Sequence, residues 1–290
     1  MPIEISRHSH SFAEKVSDKK SEGLIAEPRI ATYNVLNPRW TTSYSEIKSH
    51  LKTGDIFLVH GRYPFSWVVE LLQWSKWGHA TMVIRREDID PQNKHNLPEV
   101  MLWESNTDDG PIKNLWGPQA GQVKEGPMLI SLEERLTYTQ AEYDDVQIAY
   151  RPLLRTGLNF DWLPDFFDSM IDKGFPSDAE IIHSVYLGRR YNRTSNDPLS
   201  VIALTPNSFT GEMELTNINI DKVLSLSESD IDKQKIYCTE LMATTYKQMG
   251  LLTKHHVSNA YSPKDFSSEG TVRFLEKAWL AKEIYINMEK

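Results

Sequence analysis

Four short apolar segments constrain the fold of this chain more than any other feature. They are IFLV (56–59), GHATMVIRR (78–86), VMLWESN (100–106) and VQIAYRPL (146–153). A period of two is typical of strands, because successive side chains point to opposite faces of a sheet. The links between the segments are too short or too irregular for regular crossover helices. We therefore expect an α+β fold, in which a small antiparallel sheet packs against helices.

Two further segments predict helices. Between residues 64 and 77 the apolar side chains, among them Trp67, Trp74 and Trp77, fall at helical spacing. This helix is either part of the core or offers its tryptophans to an apolar ligand. In IYCTELMATTYKQMGL (236–251), a short apolar strand is expected to run directly into a helix.

The composition changes along the chain and indicates its domain organisation. Residues 1–45 are polar, which predicts a flexible or loosely docked N-terminal arm. Residues 46–290 then form a single domain, for which 40% hydrophobic residues supply a sizeable core. Between about 154 and 230 the chain is rich in Ser, Asn and Thr without a clear period, which indicates an inserted subdomain. That insertion is either a lid over a site or a plain surface subdomain.

Charge and cysteine content exclude several classes of protein. The formal net charge of -8 argues against nucleic-acid binding, which needs a basic face. A single cysteine excludes an intramolecular disulfide and a CxxC-type zinc site, and we expect no metal and no other cofactor. No apolar run has the length of a signal peptide or of a membrane span. The expected location is the cytoplasm, with peripheral membrane contact and oligomeric state left open.

The single cysteine, Cys238, stands at the predicted start of the helix in 236–251. A thiol in the first turn of a helix faces the positive end of the helix dipole, which favours the reactive thiolate. Cysteine is also among the residues most often buried as a small hydrophobe, so a purely structural role stays open.

Two polar residues upstream are candidates to act with this cysteine. Cysteine hydrolases need a thiolate, a histidine that holds or moves its proton, and a polar group that orients the imidazole. His79 begins one predicted strand, and Glu104 lies near the end of the predicted neighbouring strand, within reach of the imidazole. The candidates are therefore Cys238, His79 and Glu104, with Asp108 or Asp109 as alternatives for the third group.

Three other polar residues have simpler interpretations. Asp55 follows a glycine and is expected to serve a turn. His255 and His256 are adjacent, so on an extended chain they point apart, and we interpret them as surface residues rather than metal ligands.

Several motifs together resemble one family, the permuted branch of the NlpC-type, papain-like cysteine hydrolases, which contains YiiX-like and YaeF-like bacterial proteins and poxviral relatives. The motifs are LKTGDIFLVHG, SKWGHATMVI, LWESN and IYCTELMATTYK. In that branch the chain is circularly permuted, so the histidine strand comes first and the nucleophile helix last, as in the order found here. The resemblance implies His79 as base, Glu104 as orienting residue and Cys238 as nucleophile. It covers about 51–153 and 236–252.

The resemblance implies a cysteine hydrolase of peptidase or amidase type, or an acyltransferase, that acts on an amide, isopeptide or ester bond through a thioacyl-enzyme intermediate. The substrate is then a peptide, a protein, or a lipid amide or ester. Two alternatives stay open. One is a catalytically silent binding or scaffold protein on the same fold, with a peptide or lipid ligand. The other is a metal-dependent hydrolase that uses His79, Glu104 and another histidine.

Overall fold

The computed structural model describes residues 32–33, 40–60, 76–107, 110–143, 146–177, 180–185, 234–270 and 272–287. The strands are β1 (Thr32–Tyr33), β2 (Trp40–Ser43), β3 (Ile56–His60), β4 (His79–Arg85), β5 (Val100–Asn106), β6 (Gly126–Ser131), β7 (Gln147–Arg151), β8 (Leu153–Leu154), β9 (Trp279–Leu280) and β10 (Ile284–Asn287). The helices are α1 (Tyr44–Ile47), α2 (Arg86–Ile89), α3 (Leu132–Glu142), α4 (Leu163–Met170) and α5 (Cys238–Gln248). Short 3-10 turns lie at Lys48–His50 and Ser258–Ala260, and residues 180–185 are also helical.

Eight of these strands form one sheet in the order β1-β2-β10-β7-β3-β4-β5-β6, while β8 and β9 pair separately. Neighbouring strands run antiparallel, except that β10 runs parallel to β2. The expected α+β class with a mostly antiparallel sheet is therefore confirmed. The sheet is larger than the small one that the sequence predicts. One reason is that β6 is buried along its whole length, so apolar and polar residues do not alternate in it.

The alternation of side chains in β4 and β5 divides the core into two layers. On one face of the sheet, Met82 and Trp103 join a cluster that includes residues of α4 and α5. On the other face, Val83 and Leu102 join a cluster that includes residues of α3. Trp103 is fully buried, with its ring centroid 4.4 Å from that of Phe167 in α4. Burial of a phenylalanine side chain contributes about 1.5–3 kcal/mol, so α4 is held firmly on the sheet.

Helix α5 lies across β4 and β5 and is anchored at its far end. Tyr246 is fully buried, and its Oη donates a hydrogen bond of 2.6 Å to the carbonyl of Gly54, just before β3. Because β3 is antiparallel to β4, with Ile56 opposite Met82, this anchor lies at the end of the sheet where β4 ends. The first residue of α5, Cys238, therefore points back toward the end where β4 begins.

The segment predicted as an N-terminal arm contributes to the sheet. Its last residues form β2, and the predicted boundary at residue 45 falls inside α1. A capping box begins this helix: the Ser43 hydroxyl accepts a hydrogen bond from the Glu46 N–H, and the Glu46 carboxylate accepts one of 2.9 Å from the Ser43 N–H. Apart from β1, the rest of the arm lies outside the described residues.

The predicted insertion begins inside the core. Of the range 154–230, the structure describes 154–177 and 180–185, and α4 in the first of these packs on β5. The question of a lid falls on residues outside the described part of the chain. The predicted helix at 64–77 also lies outside it, except for its last two residues, of which Trp77 is fully buried in the core. None of the helices in the described segments is long and apolar enough to span a bilayer.

Candidate active site

Cys238 is the first residue of α5, as the sequence predicts. Tyr237 before it has an extended backbone, with φ -98° and ψ 172°, and turns the chain into the helix. The strand expected before this cysteine does not form in residues 234–237, where Lys235 makes only an isolated parallel bridge with Gly174. The prediction of that strand is wrong because the backbone groups of Gln234 and Ile236 pair with Gly174 alone, so the bridge does not extend into a ladder.

Side-chain hydrogen bonds fix the approach to α5 from two sides. Ser105 of β5 donates a hydrogen bond of 2.6 Å from Oγ to the carbonyl of Ile236. Tyr237 Oη and Thr239 Oγ1 both donate to the carbonyl of Tyr261, at 3.3 and 2.8 Å. The nucleophile candidate is therefore held between the sheet and the turn that follows α5.

His79 and Glu104 meet on the face of the sheet that carries α3. The antiparallel register pairs Met82 with Trp103, and continuing it places Glu104 diagonally opposite His79, the first residue of β4. Diagonal neighbours on one face are within reach of long side chains. The distance from His79 Nε2 to Glu104 Oε2 is 3.1 Å, and Glu104 is fully buried. The sequence expectation that these two side chains meet across neighbouring strands is confirmed.

The same imidazole also hydrogen bonds with the Cys238 side chain. The structure thus brings together, in one chain of contacts, the three side chains that the sequence singles out. Cys238 and His79 are only 8% and 9% exposed, so the chain of contacts is shielded from bulk water.

Arg135 of α3 extends this chain of contacts, and the sequence did not reveal it. Its Nη2 donates a hydrogen bond to Glu104 Oε1, and the arginine side chain is 7% exposed. Arg135 lies 31 residues beyond Glu104 in the chain, inside a helix with no motif around it. A buried glutamate needs a cation or several donors, and that requirement is the signal that would have prompted a search for a buried arginine.

The electrostatics of the site favour the ionised forms of His79 and Glu104. Burial by itself lowers the pKa of the His79 imidazole, but the charge and hydrogen bond of Cys238, and then those of Glu104, raise that pKa to about 10. Burial raises the pKa of the Glu104 carboxyl, but Arg135 and His79 outweigh burial and lower that pKa to about 2. The arrangement therefore favours an imidazolium that faces a carboxylate on one side and the side chain of Cys238 on the other.

Apolar side chains surround the sulfur of Cys238. Ile181 and Tyr237 form a buried cluster with the cysteine, and Phe175 and Val185 pack against that cluster. Three of these residues, at positions 175, 181 and 185, fall in the segment that the sequence predicts as an insertion. A carbonyl compound that reaches the sulfur must therefore pass or displace apolar groups.

The remaining candidates lie elsewhere. Asp55 is buried at the turn before β3, where its carboxylate accepts hydrogen bonds from the N–H groups of Lys52 and Leu153, so its expected role in a turn is confirmed. His255 and His256 are exposed, as expected. The alternative third groups at 108 and 109 lie outside the described residues. Among the residues that the structure does describe, no cluster of three or more His, Cys, Asp or Glu side chains could hold a metal ion.

The comparison with known proteins identifies no relative of this chain. No protein-family model matches the chain, and no curated protein matches its sequence. The functional argument therefore depends on the geometry of Cys238, His79, Glu104 and Arg135.

Proposed function

We propose that this chain is a cysteine-dependent hydrolase or acyltransferase that acts on an amide, isopeptide or ester bond, and that its domain is a circularly permuted, NlpC-type papain-like fold. One observation carries the proposal: a cysteine at the start of a helix hydrogen bonds with a histidine whose Nε2 meets a buried glutamate. These are the nucleophile, proton carrier and orienting group that thiol acyl transfer needs.

The proposed reaction has two steps. In the first, the Cys238 sulfur attacks the substrate carbonyl carbon, and the imidazolium of His79 protonates the leaving amine or alcohol as its bond to that carbon breaks. A thioacyl-enzyme remains. In the second, neutral His79 takes a proton from water, or from an acceptor amine, as the oxygen or nitrogen attacks the thioester. Collapse of the tetrahedral intermediate breaks the carbon–sulfur bond and releases the acid or amide. Cys238 leaves as the thiolate while His79 keeps the proton it took, so the ion pair forms again.

Charge develops on the carbonyl oxygen during both steps. The N–H of Cys238 belongs to the first turn of α5, where backbone donors have no partner within the helix. The proposal assigns this group as one oxyanion donor, because a fixed donor in a site shielded from water stabilises the tetrahedral intermediate strongly. Glu104 keeps the imidazole ring oriented throughout and does not contact the substrate.

The order of elements supports the permuted fold. The histidine strand β4 precedes the glutamate strand β5, and α5 with the nucleophile comes more than a hundred residues later. Peptides, proteins and lipid amides or esters remain the proposed substrate classes. The apolar side chains around Cys238 suit a substrate with an apolar portion beside the reacting carbonyl.

A panel of amide, isopeptide and ester substrates, assayed with wild type and Cys238→Ala, tests this proposal. We expect turnover by wild type, none by Cys238→Ala, and an acyl adduct on Cys238 that mass spectrometry detects after a rapid acid quench. Thr244→Ala is a matched control in the same helix, since its Oγ1 only donates to the carbonyl of Glu240. Turnover that survives in Cys238→Ala would overturn the proposal. So would binding of these substrates by wild type without an adduct or product, which is the behaviour of a binding protein.

A further inference from the structure

Two donors hold the two oxygens of Glu104 separately. Arg135 Nη2 donates to Oε1, and His79 Nε2 lies 3.1 Å from Oε2. The glutamate is fully buried and the arginine is 7% exposed. The carboxylate cannot rotate without breaking one of these contacts, so the position of Arg135 on α3 determines the direction from which Oε2 meets the imidazole.

The charge of Arg135 is as important as its position. A fully buried carboxylate is strongly disfavoured unless a cation compensates it. In the described part of the chain, the charged or titratable groups that face Glu104 are Arg135 from α3 and His79 from β4, with Cys238 of α5 beyond the imidazole. On β6 the residue opposite is the apolar Met128. Without Arg135, the glutamate would have only the imidazolium to keep it ionised.

We propose that Arg135 is a positioning residue of this site, which acts through Glu104 to fix both the orientation and the protonated state of the His79 imidazole. The inference rests on the proposed function, because it assigns Arg135 to the same Cys238–His79 pair. The contact that links Arg135 to this pair is its hydrogen bond to Glu104. Its influence passes through a single carboxylate, and this makes the proposal testable by double substitution.

Helix α3 does not need a buried arginine for its own packing. Leu132 and Leu136 anchor it in the core cluster on this face of the sheet. Its first turn is capped by Ser131, whose Oγ accepts a hydrogen bond from the Glu134 N–H. A hydrophobic residue in place of a buried ion-pair member often packs as well or better, so packing alone does not explain a guanidinium at this position.

The test is the pH dependence, from pH 4 to 9, of alkylation of Cys238 by iodoacetamide. Cys238 is the single cysteine, so the label reports this site alone. For Arg135→Gln we expect the acid limb of the profile to move to higher pH by about one unit or more, because Glu104 then binds a proton more readily. At a fixed pH on that limb, a shift of one unit makes alkylation of Arg135→Gln about tenfold slower than alkylation of wild type. Arg135→Lys, which keeps the charge, should restore most of the wild-type profile.

A double substitution separates positioning from general loss of structure. If Arg135 acts through Glu104, Arg135→Gln has little further effect on the profile once Glu104 is Gln. The control is Leu136→Val, which removes a methylene from the same helix, beside a cavity that Leu136, Arg135 and Glu104 line together. A purely structural role predicts that Arg135→Gln, like Leu136→Val, changes the alkylation rate without moving the acid limb of the profile to another pH. That result, or full additivity with Glu104→Gln, would overturn the inference.

His79→Ala distinguishes failure of this inference from failure of the proposed function. If His79→Ala leaves the alkylation profile unchanged, there is no activated Cys–His pair, and both proposals fail. If His79→Ala slows alkylation while Arg135→Gln matches Leu136→Val, only the role of Arg135 is wrong. If Arg135→Gln does not fold, two other variants take its place. The profile of Arg135→Lys should then resemble that of wild type, and the profile of the neutral double variant Arg135→Gln/Glu104→Gln should resemble that of Glu104→Gln.

Discussion

Ser105→Ala tests whether β5 positions the nucleophile as well as the histidine. Ser105 follows Glu104 in the strand, so the two side chains point to opposite faces. Glu104 contacts His79 on one face, while Ser105 Oγ donates a hydrogen bond of 2.6 Å to the carbonyl of Ile236 on the other. A single strand thus holds both halves of the Cys–His pair.

The structure sets the magnitude of this effect. Ser105 and Ile236 are both buried, at 0% and 5% exposure, so water cannot readily replace the lost donor. A buried carbonyl left without its hydrogen bond costs about 1–3 kcal/mol. For a domain of this size, that loss lowers the melting temperature by about 2–12 °C, at 2–4 °C for each kcal/mol. The segment before Cys238 also gains freedom to move away from His79.

Two measurements check this prediction, urea unfolding and the rate of Cys238 alkylation at pH 7. We expect Ser105→Ala to lower the unfolding midpoint at constant m-value and to slow alkylation in the folded protein. Ser169→Ala is the control, because the hydroxyl of this exposed residue of α4 makes a similar bond of 2.7 Å to the Phe166 carbonyl. If Ser105→Ala lies within about 0.5 kcal/mol of wild type, as surface changes do, and alkylates equally fast, then β5 does not position the nucleophile.

Two further predictions concern Glu104 and Arg151. Glu104→Gln should weaken turnover without abolishing it. Because the pKa of the Glu104 carboxyl is lowered to about 2 in the folded protein, ionised Glu104 contributes about 3 kcal/mol to the free energy of unfolding. That contribution is complete above pH 4.5 and is lost as the pH falls toward 2. Urea midpoints at pH 5 and pH 3 should therefore differ less in Glu104→Gln than in wild type, and an equal difference would contradict this sign. Arg151 donates hydrogen bonds to the carbonyls of Ala281, Leu280 and Phe266. Arg151→Met should lower the free energy of unfolding by about 3 kcal/mol or more and speed amide hydrogen exchange in residues 278–287. Unchanged exchange in those residues would refute this prediction.

The sequence predicted the centre of the sheet well, because its strands carry their own pattern. In β4 and β5, side chains of the two core layers alternate along the chain, and the same alternation placed His79 and Glu104 on one face. Strand β10 has no such pattern: only Ile286 of its four residues is buried, and the strand pairs with β2, about 240 residues earlier in the chain. Pairing at that distance leaves no local signal.

The site was predictable only where its chemistry coincided with a local motif. Cys238 could be placed at a helix start, since an apolar run and a helical period meet there. Arg135 and Ile181 reach the site through tertiary contacts from a helix and from a segment with no clear period. From the sequence we can state which types of residue a buried carboxylate or sulfur requires beside it. The sequence does not say which residues of the chain fill those places.

The place of β10 inside the sheet has a consequence for synthesis of the protein. Strand β10 separates β2 from β7, and it leaves the ribosome about 240 residues after β2. At 5–20 residues per second, this interval lasts about 12–50 s. Throughout that time the edge of β2 that β10 will cover is open to other strands of the nascent chain or of neighbouring chains. The edge of β7 is open in the same way for the later part of the interval, once β7 itself has been made. A chaperone that shields these edges should therefore raise the yield of folded protein more than it raises the stability of the finished fold.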